Sequence, residues 1–282
     1  SAWLAIRARP DSADGSTIRI NGDVVEVGKS VSSKTARRVA VVISLIVGVI
    51  FGSQFNANWS EILLMFNAQS FGTTDPQFGL DNGFYVFVLP GLKLVLAAVA
   101  MLLGVGLVFS VVTHVLMGGI RITMPVNGRG LFSITKRCRR QLGIWLMLNM
   151  FAWAVRQMIG VFDQLTVQGS RITGASYTAV HANIPVTFIM AVLTAILGVV
   201  LGIWLMRSHT LEGQASIGVR ASAALKAWRV PVTSIAVVVV VGLVLTVAWP
   251  VLLQRFRVNP NAQEMESTYI QRNIDATRAA YG

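Results

Sequence analysis

The chain has 282 residues, of which 54% are hydrophobic and only 13% are charged, whereas about 25% of residues are charged in soluble domains. Its formal net charge of +12 would indicate nucleic-acid binding in a soluble protein. Here the Lys and Arg residues stand between long apolar runs, so the composition indicates a membrane protein and argues against a nucleic-acid partner. A single cysteine, Cys138, leaves neither an internal disulfide nor a cysteine metal cluster to propose.

The N-terminal segment, residues 1–38, combines a short apolar start with a hairpin pattern. Ala2–Ile6 resembles the last turn of an apolar helix, so we expect the chain to be part of a longer protein. Alternating residues in Thr17–Ile20 and Asp23–Val27 flank the dipeptide Asn21-Gly22, which is typical of a type I′ turn. We therefore predict a small cytoplasmic β-hairpin in this segment.

Long apolar runs follow, and about 20 such residues suffice to cross the roughly 30 Å of hydrocarbon in a bilayer. Four runs meet this requirement. A fifth is interrupted by Asn149, Arg156 and Gln157 but keeps several aromatic residues, and we count it as spanning. The fold class is therefore an all-α membrane protein, a polytopic transmembrane helix bundle with about five spans. The predicted spans are Val39–Phe55, Phe84–Met117, Leu142–Val161, Ile184–Met206 and Val232–Leu253.

An amphipathic helix is predicted between the first two spans. Trp59, Ile62, Leu63 and Phe66 fall at positions i, i+3, i+4 and i+7, the spacing of one helical face. Such a helix lies on the membrane surface, packs against a soluble domain, or caps its own bundle. The following span is too long for the hydrocarbon core, and we expect a break at Pro90-Gly91.

The segments between the spans differ in Lys and Arg content, which indicates orientation because cytoplasmic loops hold the excess. Residues 1–38, 118–140 and 207–230 contain seven, six and four of these residues, whereas 57–83 contain none and 162–183 contain one. We therefore expect the first three segments to be cytoplasmic and the other two, with the stretch after the last span, to be extracytoplasmic. The predicted division is a cytoplasmic segment 1–38, a helix bundle 39–253 in the plasma membrane, and an extracytoplasmic linker 254–282.

Two spans carry small residues at helical spacing, which mark contact faces because they let backbones approach closely in lipid. Ser44, Gly48 and Gly52 repeat every four residues in the first span. Gly198 and Gly202 repeat in the fourth span, preceded by Ala191 and Ala195. We predict helix packing at both faces, either within this bundle or between two copies of the chain.

A polar stripe is predicted along the interrupted span. Asn149, Arg156 and Asp163 are seven residues apart, and seven helical steps return within about 20° of the same direction. Ionisable residues inside a membrane are candidates for function. The stripe is either a conduction path or a rim at which Arg156 and Asp163 reach the interface. Lys93 is predicted to reach the interface as well.

Catalytic and cofactor motifs are not found in the sequence. It contains no P-loop, no dinucleotide fingerprint and no Gly-x-Ser-x-Gly elbow. The predicted topology places His114, His181 and His209 on different sides of the membrane, and we predict neither a metal nor another cofactor. The acids Glu61, Asp75 and Asp81 are interpreted as solvated loop charges rather than a carboxylate cluster.

Several strings along the chain resemble the UPF0182 family of large, uncharacterised actinobacterial membrane proteins. The most specific is the closing run Tyr269–Gly282. The others are Phe71-Gly72, Asp75–Phe78, Asp81, Gly83–Phe87, His114, Gly118–Arg121, Gly174–Ala182 and Gln254–Val258.

The resemblance implies two further spans before Ser1 and a large extracytoplasmic domain after Gly282. It carries no catalytic residues, so whether the protein is an enzyme stays open. Two strings, Asp75 to Tyr85 and Tyr177 to His181, are expected to form the surface on which that domain docks. The candidate docking residues are Asp75, Phe78, Asp81, Tyr85, Tyr177 and His181.

The function expected from these features is that of a membrane anchor and scaffold for a cell-envelope domain. Its partners would be the lipid bilayer, its own extracytoplasmic domain, and a second copy or an envelope complex. One alternative is a transporter or channel with a path along Asn149, Arg156 and Asp163. Another is an envelope lipid or cell-wall enzyme whose active site lies in the extracytoplasmic domain.

Overall fold

The structure, a computed structural model, describes residues 17–20, 23–26, 33–117, 119–122, 132–166, 174–208 and 217–281. The described part is mostly helical. Eight α-helices are α1 (Ser33–Ala57), α2 (Trp59–Phe66), α3 (Leu89–Leu116), α4 (Lys136–Gly160), α5 (Ile184–Arg207), α6 (Ile217–Leu243), α7 (Trp249–Leu253) and α8 (Ala262–Tyr281). Four short strands are β1 (Thr17–Ile20), β2 (Asp23–Glu26), β3 (Ile120–Ile122) and β4 (Phe132–Ile134).

The strands form two antiparallel pairs. β1 pairs with β2 from Thr17 opposite Glu26 to Ile20 opposite Asp23, the register that a hairpin through Asn21-Gly22 requires. The predicted type I′ turn itself lies outside the described residues. The β3–β4 pair was not predicted from the sequence, because three-residue strands are too short for an alternation pattern to be recognised.

Four helical segments are long and apolar enough to cross a membrane, which supports a membrane location. They are Phe84–Val115, Lys136–Leu165, Ala179–Arg207 and Trp228–Val258. Of the about five spans predicted, four are therefore supported among the described residues. The span predicted at Val39–Phe55 lies in α1, where a shorter apolar stretch, Val41–Ile50, meets the composition requirement but not the length.

Three spans contain a wider helical turn that is followed by a proline. The π-helical turns Phe84–Val88, Ala179–Asn183 and Val244–Ala248 are each followed, two residues later, by Pro90, Pro185 or Pro250. Proline has no N–H, and its ring clashes with the carbonyl four residues earlier, so a wider turn accommodates it. The break expected at Pro90-Gly91 is absent, because the helix continues through the proline after this turn.

The helix predicted from Trp59, Ile62, Leu63 and Phe66 is present as α2. Trp59 and Phe66 are 61% and 78% exposed. One side of α2 packs on α3, because a Cβ on Gly91 would meet Met65 Cβ at 2.8 Å and the Glu61 carbonyl oxygen at 2.9 Å. Gly91 is therefore required by close packing rather than by chain flexibility.

The described chain divides into two compact units. The first comprises Ser1–Trp59, Ala98–Asn149 and Gly198–Val232. The second comprises Ser60–Ala97, Met150–Leu197 and Thr233–Gly282, and it contains all six predicted docking residues and the C-terminal helix α8.

Candidate functional site

Asp75 organises residues 70–83 of the second unit, which precede the Phe84–Val115 span and which we call the Asp75 loop. Its side chain is only 8% exposed. Oδ1 accepts the N–H of Gln77 at 2.6 Å and that of Phe78 at 3.0 Å, and Oδ2 accepts the Leu80 N–H at 3.3 Å and the Tyr85 hydroxyl at 2.8 Å. Backbone N–H donors thus stabilise a buried carboxylate, whereas a solvated loop charge was expected at this position.

Asp81 organises the other half of the same loop. It accepts the Ser70 hydroxyl and the backbone N–H groups of Phe71, Gly72 and Gly83. The Ser70 hydrogen bond, followed by those from Phe71, Gly83 and Gly72, lowers the pKa of Asp81 from 3.8 to about 2, although desolvation acts in the opposite direction. Asp75 and Asp81 therefore both fix the loop. The interpretation as a solvated charge was wrong for Asp75, which is buried, whereas Asp81 accepts its hydrogen bonds at the surface.

This depressed pKa predicts an acid-dependent opening of the loop. The unfolded pKa lies near 3.9, so the stabilising contribution of Asp81 is complete above about pH 4 and is lost as the pH falls through about 2. We expect pepsin to cleave the loop slowly at pH 4 and rapidly near pH 1.5. An Asp81→Asn protein should be cleaved rapidly at both pH values. Equal protection of the two proteins at pH 4 would contradict the assignment.

Four aromatic side chains pack beside the Asp75 loop. Phe162 makes edge-to-face contacts with Phe78 at 5.0 Å and with Phe84 at 5.4 Å between ring centroids, and it lies 6.3 Å from Tyr85. Such pairs contribute beyond their buried area. The predicted docking residues Asp75, Phe78 and Tyr85 are thus brought together, because Phe162 holds two of them and a hydrogen bond holds the third.

Tyr177 and His181 lie together on a different part of the second unit, where α8 packs. Their rings are stacked at 4.0 Å, and Tyr269 of α8 approaches Tyr177 edge-on at 6.3 Å. Glu266 of α8 is 7% exposed and accepts the Tyr177 N–H at 3.3 Å. The Thr178 hydroxyl donates to the Gln254 side-chain oxygen close by. This set of contacts fastens α8 to the residues that begin the Ala179–Arg207 span.

A pocket of about 330 Å³ lies between the Asp75 loop and α8 within the second unit, and we call it the Tyr85–Tyr269 pocket. Asp75 and Tyr85 line one wall, and Tyr269 and Arg272 line the other. Phe78, Asp81, Tyr177 and His181 lie outside its lining. Two of the predicted docking residues therefore line this pocket, and the docking surface itself stays a prediction.

Arg257 and Arg272 place positive charge beside the tyrosines. The Arg257 guanidinium lies 5.9 Å from the Tyr177 ring centre, and that of Arg272 lies 5.6 Å from the Tyr269 ring centre. Both distances allow cation–π attraction. Burial raises the pKa of the Tyr269 phenol, and the Arg272 charge partly offsets this effect, so the phenol keeps its proton at neutral pH.

The three residues of the predicted polar stripe have separate surroundings. Asn149 donates to the carbonyls of Leu103 and Trp145 at 3.1 and 2.8 Å. Asp163 forms an ion pair with Lys93 at 2.8 Å, and it is the only ion pair among the described residues. Arg156 is exposed on the helix surface. Asn149 and Asp163 thus have hydrogen-bond or ion-pair partners close by. The conduction path along the stripe stays a prediction.

The two glycine faces also differ. Gly202 lies against α4, because a Cβ there would meet Met147 Cγ at 2.4 Å and the Gly143 carbonyl oxygen at 2.9 Å. Gly198 is buried as well, whereas Ser44, Gly48 and Gly52 are exposed. A Cβ on Gly48 or Gly52 would contact nothing within 4 Å.

A buried polar network in the first unit was missed by sequence reasoning. Ser110 and His114 are 0% and 2% exposed, Gln141 donates to Ser110 at 3.0 Å, and His114 Nε2 donates to the Gln141 oxygen at 3.1 Å. Arg139 is 1% exposed and donates to the Ser208 carbonyl. Arg139 was counted only as one of the basic residues of segment 118–140, and no local pattern distinguished it from the exposed Lys136, Arg137 and Arg140 beside it.

A model of the uncharacterised protein family UPF0182 matches residues 1–282. A UPF0182 protein of Bifidobacterium adolescentis is 79% identical over the whole chain, which covers 26% of that relative. UPF0182 proteins of Corynebacterium efficiens and Kocuria rhizophila are 32% and 34% identical over 99% and 100% of the chain, again covering 26% of each relative.

No solved structure matches the chain. The chain spans about a quarter of the length of the curated relatives that it matches. The family model covers every residue, including the loop, the pocket and the C-terminal helix described above. The chain therefore belongs to the UPF0182 family.

Proposed function

We propose that this region is a multi-pass plasma-membrane anchor and scaffold that positions an extracytoplasmic part of the protein. The observation that supports the proposal best is the attachment of α8. This helix is polar along most of its length, yet the buried Glu266 and the Tyr177–Tyr269 contact fasten it to the start of a membrane span. A helix fixed in this way transmits the orientation of the span to whatever is joined to it.

The relatives supply a second argument for the scaffold role. The matched region accounts for 26% of the Bifidobacterium adolescentis protein, so most of that relative lies outside the region that supplies these spans. In the proposed arrangement, α8 and the Asp75 loop form the platform against which an extracytoplasmic part rests. A second copy of the chain or an envelope complex would contact the same platform.

The proposed orientation places the loop between α2 and the Phe84–Val115 span outside the cell. Because cytoplasmic segments hold the excess of Lys and Arg, we expect a cysteine at Ala68 to react with a membrane-impermeant maleimide in intact cells. A cysteine at Arg38 should react only after permeabilisation. Both positions are exposed, and Cys138, which is buried, is replaced by serine in both proteins. The reverse labelling pattern would overturn the orientation.

The attachment of α8 can be tested with two glutamates of the same helix. Removing Glu266 leaves the Tyr177 N–H without its partner, and the loss of one charged hydrogen bond corresponds to about tenfold easier opening. We expect Glu266→Ala in the full-length protein, in right-side-out vesicles, to accelerate protease cleavage within α8 about tenfold. Glu264→Ala, which changes an exposed acid, should cleave at the wild-type rate.

The same digest reports on the scaffold role. If α8 positions an extracytoplasmic part, the fragments of that part should also change in Glu266→Ala and not in Glu264→Ala. Unchanged cleavage throughout Glu266→Ala would remove the basis of the proposal. Faster cleavage of α8 alone would leave the attachment in place and contradict the scaffold role.

A further inference from the structure

The Tyr85–Tyr269 pocket combines an apolar lining with one available cation. Most of its exposed lining surface is apolar, contributed by residues such as Val86, Leu165 and Ala276. Arg272 supplies a guanidinium at the α8 wall. A volume of about 330 Å³ falls within the range of small-molecule pockets, at its lower end. This pairing suits a ligand that has an anionic group beside an apolar one.

The acid in the lining is occupied by its own loop. The oxygens of Asp75 accept the N–H groups of Gln77, Phe78 and Leu80 and the hydroxyl of Tyr85. Such donors stabilise the carboxylate in its place. Arg272 is therefore the charged group of the lining that can donate hydrogen bonds to an anionic ligand.

Hydrogen-bond donors and acceptors stand beside this charge. The Tyr85 oxygen donates its proton to Asp75 and so presents its lone pairs as acceptors. The Tyr269 phenol lies on the opposite wall, next to Arg272. A ligand with both a charged oxygen and hydroxyl groups would find a partner for each.

The pocket adjoins the ends of two membrane spans. Tyr85 and Val86 belong to the first turn of the Phe84–Val115 span, and Leu165 is the last residue of the Lys136–Leu165 span. The ends of membrane spans lie near the headgroup region of a bilayer. An amphipathic molecule of the bilayer would therefore approach the pocket with its headgroup.

We propose that the Tyr85–Tyr269 pocket binds the phosphate group of an anionic phospholipid, with Arg272 contacting the phosphate and the apolar wall covering the adjoining chain. The phosphate of a soluble metabolite has the same chemistry, but it has no apolar part to cover this wall. Lipid binding would be a property of the anchor in addition to its scaffold role. It does not depend on which side of the membrane the pocket faces.

The test uses the full-length protein in phosphatidylcholine nanodiscs that contain a photoreactive phosphatidylglycerol with a diazirine close to its headgroup. Crosslinked peptides are identified by mass spectrometry. We expect labelling of the Asp75 loop and of α8, and a threefold to tenfold loss of labelling in Arg272→Gln, since the guanidinium is partly screened by solvent. Arg278→Gln, an exposed arginine of the same helix outside the lining, should label like the wild type.

Two further arms complete the experiment. Ala276→Phe narrows the pocket without changing charge and should also reduce labelling, while unchanged protease resistance of α8 shows that the fold is intact. The proposal would be overturned if a matched phosphatidylcholine probe labelled the protein equally well. It would also be overturned if the phosphatidylglycerol probe labelled Arg272→Gln and Ala276→Phe as strongly as the wild type. Displacement of the probe by glycerol 3-phosphate at equal concentration would assign the pocket to soluble phosphates and overturn the lipid assignment.

Discussion

Replacing Asp75 by alanine is expected to destabilise the second unit by about 3 kcal/mol or more. The change leaves three backbone N–H groups and the Tyr85 hydroxyl without their acceptor. Unsatisfied buried donors cost about 1–3 kcal/mol each, and some regain water as the loop relaxes. Urea or thermal unfolding of the purified protein measures this loss.

A matched control separates this effect from the loss of a negative charge. Asp275 of α8 is exposed, and its carboxylate accepts a hydrogen bond from the side chain of Gln271 on the same helix. Asp275→Ala should therefore change the free energy of unfolding by no more than about 0.5 kcal/mol. Tyr85→Phe removes a single donor to Asp75 and should lie between the two. Equal stabilities of Asp75→Ala and Asp275→Ala would show that the loop is held by other contacts.

The second large effect is expected from Gly202→Ala in the first unit. Its new Cβ would lie 2.4 Å from Met147 Cγ and 2.9 Å from the Gly143 carbonyl oxygen. The methionine can move, but the backbone of α4 cannot do so without separating the two helices. Overpacking of this kind costs about 1–3 kcal/mol, and we expect a corresponding drop in the unfolding midpoint in detergent.

Gly160→Ala is the control for this substitution. Gly160 ends α4 with a right-handed backbone, and a Cβ there contacts nothing within 4 Å. Because alanine favours helices over glycine by about 1 kcal/mol, this variant should be as stable as the wild type or slightly more stable. If Gly202→Ala behaved in the same way, close contact between α4 and α5 would be disproved.

Sequence periodicity predicted where helices form better than it predicted what they contact. The apolar runs are found in four spans, and the face at Trp59 and Phe66 is found in α2. Gly48 and Gly202 stand in similar four-residue repeats, yet Gly48 has open space around it and Gly202 lies against a neighbouring backbone. A repeat of small residues permits two helices to approach closely, but it does not indicate which helix, if any, is in contact.

The polar groups show the same limit. Helical phase placed Asp163 near the end of its span, whereas its partner Lys93 lies 70 residues earlier in the chain. Arg139 stands among other basic residues and is 1% exposed. The sequence shows its charge, but not its hydrogen bond to the carbonyl of Ser208, 69 residues later in the chain. Contacts between distant segments are set by the tertiary fold, which local patterns do not encode.

The four spans are longer than the hydrocarbon layer is thick. They contain 29 to 32 residues, or roughly 45 Å at 1.5 Å per residue, against about 30 Å of hydrocarbon. Such hydrophobic mismatch is relieved by tilting or by local thickening of the bilayer. In two spans only 6% of the most apolar stretch is buried within the described structure, which leaves most of their apolar surface available for contact with lipid. We therefore expect the tilt of these helices to change when the thickness of the bilayer changes.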